Sequence, residues 1–208
     1  MRYYMGPEEW APTAKDIEAA GHERVDSLAE AEVFVNTSSD PAAVPDLPEN
    51  IQWVQYCFTG VNHLIEAGHI REGGVPWCNS AGAFAKPVAE SALGLLLSQA
   101  HHHKAFALAK SWSVSKELDE SQVWLYDQQG PKHVVIVGAG GIGKQLIAYL
   151  KPFNVTITAV NRSGRTVEGA DATLPIERVD EVWGNADFVV SILPATAETE
   201  HFLSLIHI

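Results

Sequence analysis

Short apolar runs alternate with polar or helix-forming stretches through the first third of the chain. Strand-like runs occupy residues 2–5, 32–36 and 52–56, and helix formers fill residues 12–20. Residues 36–50 are rich in Ser, Asp and Pro, a composition that predicts a loop. Strands that alternate with helices are typical of an α/β unit with a parallel sheet. We therefore predict one such unit at the start of the chain.

A long helix-forming segment follows over residues 87–110. Its apolar side chains recur at helical spacing, beginning with Val88, Ala92 and Leu95, and they cover most of its circumference. A helix of this kind is normally buried on several sides, so we expect it to lie between two domains. Residues 111–131 are polar apart from embedded tryptophans, and they predict a long connection that packs against the rest of the protein.

A second α/β unit is predicted after this connection. Residues 134–137 form an unbroken β-branched run, which is typical of a strand buried on both faces of a parallel sheet. The pattern predicts an amphipathic helix over residues 141–151, strands over residues 155–160 and 187–193, and a short helical stretch over residues 177–183. This unit is therefore expected to contain three strands.

The turn between the first strand and helix of this unit carries candidate chemistry. It matches G-x-G-x-x-G at Gly138, Gly140 and Gly143, directly after a buried strand and at the start of a helix. In that context the glycines allow a tight turn and close approach of the backbone to a pyrophosphate, so we predict a dinucleotide site. A glycine-rich turn without a ligand is the alternative. A P-loop is disfavoured because Gln145 stands where Ser or Thr would bind magnesium.

The end of the next strand indicates which dinucleotide is bound. An NAD site normally has Asp or Glu there, whereas this chain has Asn161, Arg162, Ser163 and Arg165. No carboxylate in this segment would repel a 2′-phosphate, and two guanidiniums and a hydroxyl could bind one. We therefore expect NADP(H), with NAD(H) as the alternative if these side chains are merely solvated.

Charge and composition narrow the function classes. A formal net charge of −12 argues against nucleic-acid binding, and no apolar run is long enough to span a membrane. With no secretory signal at its start, the protein is expected to be cytoplasmic. Cys57 and Cys78 are expected to be free, buried thiols. Because consecutive side chains diverge around a helix, the histidines at 101–103 are not expected to converge on a metal, and no metal site is predicted.

Four stretches together, residues 51–62, 79–90, 138–143 and 186–199, resemble the D-isomer-specific 2-hydroxyacid dehydrogenases, of the glyoxylate/hydroxypyruvate reductase and phosphoglycerate dehydrogenase type. The fourth is the most specific, since an Asp and an apolar run precede Leu-Pro-x-Thr-x-x-Thr at the family's spacing. The resemblance implies that the backbone amides of Gly60 and Val61 hold the substrate carboxylate. It also implies cofactor contacts: Gly141 and Ile142 at the pyrophosphate, Asn161 and Arg162 at the adenosine ribose, and Leu193, Pro194 and Thr199 along the adenosine half.

The resemblance also implies an architecture and an activity. We expect a flavodoxin-like substrate domain over residues 1–85, an interdomain helix and connection over 86–131, and an incomplete, doubly wound Rossmann domain over 132–208. The family reduces small 2-keto acids such as glyoxylate or hydroxypyruvate, and it usually forms homodimers. Its catalytic Arg, Glu and His are expected downstream of Thr199, so the chain as given is predicted to lack catalytic residues and to be inactive. A non-catalytic dinucleotide-binding or sensing module is the alternative.

Overall fold

The computed structural model describes residues 1–126 and 130–203 of the chain. The chain divides into two compact units, Met1–Ala81 and a second unit that begins at Gly82. Each unit is built on its own parallel sheet. No helix in the described ranges combines the length and apolar character that a membrane span requires.

The first unit is a five-stranded sheet whose strands are all parallel, in the order β2-β1-β3-β4-β5. This is the strand order of flavodoxin-like folds. The strands are β1 (Arg2–Gly6), β2 (Glu23–Arg24), β3 (Val33–Asn36), β4 (Trp53–Tyr56) and β5 (Trp77–Cys78), and the helices are α1 (Ala11–Ala19) and α2 (Asn62–Glu66).

Both faces of this sheet are covered by apolar side chains. Tyr3, Met5 and Val33 pack with α1 on one face, and Phe34 and Val54 pack on the other. Because β3 lies between β1 and β4, all four of its residues are buried, which explains why its first three residues are apolar.

The second unit contains a four-stranded parallel sheet in the order β8-β7-β6-β9. This order equals the first four strands of the Rossmann arrangement. The strands are β6 (His133–Val137), β7 (Thr156–Asn161), β8 (Ala172–Pro175) and β9 (Phe188–Ser191), and the helices are α3 (Ala85–Ala100), α4 (His103–Ala109), α5 (Ser115–Ser121) and α6 (Gly141–Leu150). The predicted α/β fold class is therefore confirmed.

The core of the second unit lies between β6, α6 and α3. Val134 and Ile136 of β6 are fully buried in one cluster with Leu146 of α6 and with Ala89 and Leu96 of α3. The long apolar helix of the sequence thus belongs to the second unit, where it packs against α6.

The prediction of one helix over residues 87–110 is wrong in two respects. The helix ends at Ala100, because His102 adopts a left-handed conformation with φ of 54° before α4 begins. The His102 Nε2 donates to the backbone carbonyl of Ser121 at 2.9 Å, a contact that stabilises this break. The helix also buries one face rather than several, since Leu95 is 72% exposed in the described structure.

Several shorter elements differ from the sequence predictions. The connection over residues 111–131 contains α5, and Trp112 within it is exposed rather than packed. The second sheet has four described strands instead of the three predicted. The additional strand, β8, lies at the edge of the sheet and was missed because its sequence has no alternating apolar pattern. Of the two free thiols, Cys57 is buried as expected, whereas Cys78 is exposed.

Candidate functional site

Gly138 directly follows β6 and adopts a conformation that requires glycine. Its φ is +90°, and a Cβ atom built on it would lie 2.7 Å from the backbone oxygen of Ile192. Its N–H donates to the carbonyl of Val160 at 2.9 Å, which fixes the turn to the end of β7. The turn therefore lies tightly between the strands on either side of β6.

Gly143 and Gly140 leave space for different neighbours. A Cβ on Gly143 would lie 3.3 Å from the Cβ of Ala139 and 3.4 Å from Cγ2 of Ile136, so this glycine lets α6 approach β6 closely. Among the described residues other than its chain neighbours, a Cβ on Gly140 would meet only the Gly138 oxygen, at 3.9 Å. The space beside Gly140 is therefore open, as a dinucleotide pyrophosphate would need.

Gly141 and Ile142 are the first residues of α6. Their backbone N–H groups lie in the first turn, where a helix has no internal acceptors for them and where its dipole favours an anion. Because residue 141 is glycine, only backbone donors are available there. The glycine turn thus fits a dinucleotide by its open space and by its free donors.

The last residue of β7 and the loop that follows it, residues 161–165, are held by their own hydrogen bonds and are together called the β7 loop below. The Asn161 side chain donates to the Arg165 carbonyl at 2.7 Å and accepts from the Ser163 N–H at 3.1 Å. The Arg165 Nε in turn donates to the Ser163 hydroxyl at 3.2 Å. These contacts place the hydroxyl and one guanidinium of the predicted 2′-phosphate site side by side.

The loop after β9, residues 192–199, is called the β9 loop and carries the Leu-Pro-x-Thr-x-x-Thr motif. The Thr199 hydroxyl donates to the Pro194 carbonyl and accepts from the Thr196 N–H at 2.9 Å. The Thr199 side chain therefore shapes its own loop, which is how this residue can influence an adenosine site. Leu193 packs in the apolar cluster beneath β6 and β7.

The structure brings the predicted cofactor residues to one edge of the second sheet. β7, β6 and β9 are parallel neighbours, and each of the three loops follows the carboxyl end of its strand. In open α/β sheets, ligands bind at this edge. The residues gathered there are Gly138, Gly140, Gly141, Ile142, Gly143, Asn161, Arg162, Ser163, Arg165, Leu193, Pro194 and Thr199.

Gly60 and Val61 belong to the first unit, between β4 and α2. The loop before them is tied to the segment after β5, because Asn79 donates to the Thr59 carbonyl at 2.8 Å and the Ser80 N–H donates to Phe58 at 2.9 Å. In the described part of the chain, no atom beyond Gly60 and its two chain neighbours lies within 4 Å of a Cβ built on Gly60. The predicted carboxylate loop is therefore anchored at its base and open at Gly60.

Two side-chain contacts near these loops were not found by sequence reasoning. The hydroxyl of the buried Tyr56 lies 3.2 Å from Nε2 of His63 in α2, and burial raises the pKa of Tyr56. Arg162 forms an ion pair with Glu198 of the β9 loop at 3.3 Å. The place of Glu198 inside the Leu-Pro-x-Thr-x-x-Thr motif is the one sequence signal that could have drawn attention to it.

The histidines at 101–103 are arranged differently from the sequence expectation. The rings of His101 and His103 lie 5.6 Å apart because the helix breaks at His102, and Trp124 lies 4.4 Å from the His101 ring. Desolvation lowers the pKa of His101, and His103 lowers it further. Among residues 1–126 and 130–203, no group of three or more His, Cys, Asp or Glu side chains could hold a metal ion.

A parallel sheet that ends in a glycine turn at a helix N-terminus defines a dinucleotide-binding α/β protein. A model of the D-isomer specific 2-hydroxyacid dehydrogenase NAD binding domain matches residues 93–207. The chain belongs to this family, and the resemblance found in the sequence is confirmed.

Individual relatives agree with this family. An uncharacterised protein from Corynebacterium melassecola, encoded in the region 3′ of proB, is 47% identical over 96% of the chain, and hydroxypyruvate reductase from Thermotoga maritima is 25% identical over 96%. The chain spans 64% and 63% of these two relatives. The NADPH-dependent glyoxylate/hydroxypyruvate reductase from Sinorhizobium meliloti, solved with NADP and sulfate, has a TM-score of 0.65 at 22% identity, over 95% of this chain and 64% of that one.

Proposed function

We propose that the protein acts in the NAD(P)-dependent reduction of small 2-keto acids, such as glyoxylate or hydroxypyruvate, to 2-hydroxy acids. The second unit would bind the dinucleotide and the first unit, with a boundary near residue 85, would bind the substrate. The observation that carries the proposal is the open space at Gly140 beside the strained turn at Gly138. The family membership and the hydroxypyruvate reductase among its relatives support the substrate class.

We propose NADP(H) as the preferred cofactor, with NAD(H) as the weaker ligand. The β7 loop supports this choice because it contains no carboxylate and holds Ser163 against Arg165. A hydroxyl and a guanidinium that are already positioned lose little entropy when they bind a 2′-phosphate. The related reductase from Sinorhizobium meliloti, which is NADPH-dependent, agrees with the same choice.

The chemistry of the reaction divides between the cofactor and the protein. A bound, reduced nicotinamide supplies the hydride. In this chain the backbone amides of Gly60 and Val61 would hold the substrate carboxylate, and the three loops of the second sheet would orient the dinucleotide. Polarising the carbonyl and protonating the alkoxide require a cation and an acid. The family resemblance assigns these tasks to residues beyond Thr199, so we propose that the 208-residue chain binds cofactor without turnover.

Calorimetric titration of the purified chain with NADPH and NADH tests the cofactor proposal. We expect saturable binding of both, with a lower dissociation constant for NADPH. A clear preference for NADH would contradict it. Incubation with NADPH and hydroxypyruvate, followed at the nicotinamide absorbance, tests the absence of turnover, and oxidation above background would overturn that part.

We also propose that the protein functions as a homodimer in the cytoplasm. Exposed large apolar side chains are frequent over residues 108–126 of the second unit, which supports association between copies. They are Leu108, Trp112, Trp124 and Tyr126. Sedimentation analysis should give twice the chain mass, and a monomer at micromolar concentration would contradict the proposal.

A further inference from the structure

The two arginines of the β7 loop differ in their partners. Arg162 Nη2 lies 3.3 Å from Glu198 Oε2, whereas Arg165 donates to the Ser163 hydroxyl. Across residues 1–126 and 130–203, the structure shows no carboxylate paired with Arg165. The charge of Arg162 is therefore partly compensated, and that of Arg165 is not.

The ion pair crosses the carboxyl end of β6. Arg162 follows β7 and Glu198 follows β9, and these strands pair with opposite sides of β6. The glycine turn that ends β6 lies between them along the sheet. The pair therefore spans the edge at which the adenosine half of a dinucleotide is expected to lie.

Both ends of this pair are carried by loops with internal hydrogen bonds. On one side Asn161 closes the β7 loop by its bonds to Ser163 and Arg165. On the other side Thr199, the neighbour of Glu198, bonds within the β9 loop. The hydrogen bonds within each loop hold the two backbones where the pair forms, so neither needs a large change. Both side chains are mostly exposed, at 88% for Arg162 and 76% for Glu198.

We propose that Glu198 is a specificity-determining residue that weakens the binding of a 2′-phosphate. This inference rests on the proposed function, because it concerns the same cofactor site. A 2′-phosphate that approaches Arg162 must displace the Glu198 carboxylate or lie beside it, and two anions at short range repel each other. A 2′-hydroxyl carries no charge and is not opposed in this way. Arg165, which Ser163 orients, then contributes most of the attraction for the phosphate.

The test is the variant Glu198→Gln, with Glu200→Gln as the matched control. Glu200 is an exposed neighbour that loses the same charge but pairs with His201 rather than with Arg162. We expect Glu198→Gln to lower the dissociation constant of NADPH by roughly threefold or more and to leave that of NADH within about twofold. The gain should shrink at about 0.5 M salt, where exposed charges are screened.

A second pair of variants isolates the role of Arg162. Arg162→Gln should weaken NADPH binding more in the Glu198→Gln background than in the unchanged chain, because Glu198 no longer compensates the guanidinium. Equal effects in both backgrounds, or equal effects of the Glu198 and Glu200 variants, would overturn the inference. If NADPH and NADH bind but their ratio does not move, only this inference fails. If neither NADPH nor NADH binds to the unchanged chain, the proposed function itself is contradicted.

Discussion

Gly138 and Gly140 are two residues apart, yet the structure gives them different tasks. At Gly138 any side chain would meet the Ile192 backbone and would hold a strained, left-handed φ. At Gly140 a methyl group fits against the protein but occupies the open space beside the turn. The two positions therefore separate the stability of the turn from its capacity to accept a ligand.

Substituting these two glycines tests that separation. Gly138→Ala should lower the free energy of unfolding by about 2 kcal/mol or more. Gly140→Ala should change the free energy of unfolding by less than about 0.5 kcal/mol, but this variant should lose most of its affinity for NADPH. Chemical denaturation and calorimetric titration give the two quantities. A stable Gly138→Ala, or a Gly140→Ala that binds normally, would contradict this account of the turn.

His101 should make stability depend on pH. Its Nε2 is buried without a hydrogen-bond partner in the described structure, and desolvation holds its pKa below the ordinary value of about 6.5. In acid the unfolded chain therefore binds a proton before the folded chain does. Stability should be highest above about pH 6.5 and should fall as the pH decreases toward the lowered, folded-state pKa.

The variant His101→Gln should show a shallower loss of melting temperature between about pH 7 and pH 5 than the unchanged chain. His22→Gln is the control, because His22 is exposed in the first unit. The same pH slope in both variants would show that His101 does not contribute. His103 lies against His101, so it is left unchanged in this comparison.

Single residues were predictable from the sequence where a motif fixes their local surroundings. Gly138, Gly140 and Gly143 lie in one turn, and their spacing is sufficient to place them. Glu198 was not predicted as a partner of Arg162 because its role depends on strand order, which brings two distant loops together. Tyr56 and His63 were missed for a related reason, since α2 has a weak local pattern.

Helix α3 contributes to the fold through one face only. Leu96 is 7% exposed and lies in the cluster with α6, while the adjacent Leu95 is 72% exposed. Leu96→Ala should reduce the free energy of unfolding by about 2–4 kcal/mol, and Leu95→Ala should change it by less than about 0.5 kcal/mol. Denaturant titration of both variants measures the difference. Similar losses in the two would show that both faces of the helix are packed.

At the scale of elements, strong periodic patterns were sufficient to predict a strand or a helix, and weak patterns were not. Strands β1, β3, β4, β6, β7 and β9 and helices α1 and α6 were predicted within a few residues. The short strands β2, β5 and β8 were missed because two to four residues cannot show a period, and their sheet partners define them. The break at His102 was missed because it depends on a contact to Ser121.

At the scale of the whole molecule, the family explains why two parallel sheets occur in one chain. The flavodoxin-like order of the first sheet and the Rossmann order of the second were expected from the resemblance, and the structure has both. Strand order could not follow from local sequence, since it depends on long-range pairing.

The central claim is that a nicotinamide dinucleotide binds at the carboxyl edge of the second sheet. Nuclear magnetic resonance of the isotope-labelled chain during titration with NADPH tests it most directly. We expect saturable shifts of the backbone amides from Gly138 to Gly143 and in the β7 and β9 loops. Shifts confined to other parts of the chain, or no saturable shift at millimolar NADPH, would contradict it.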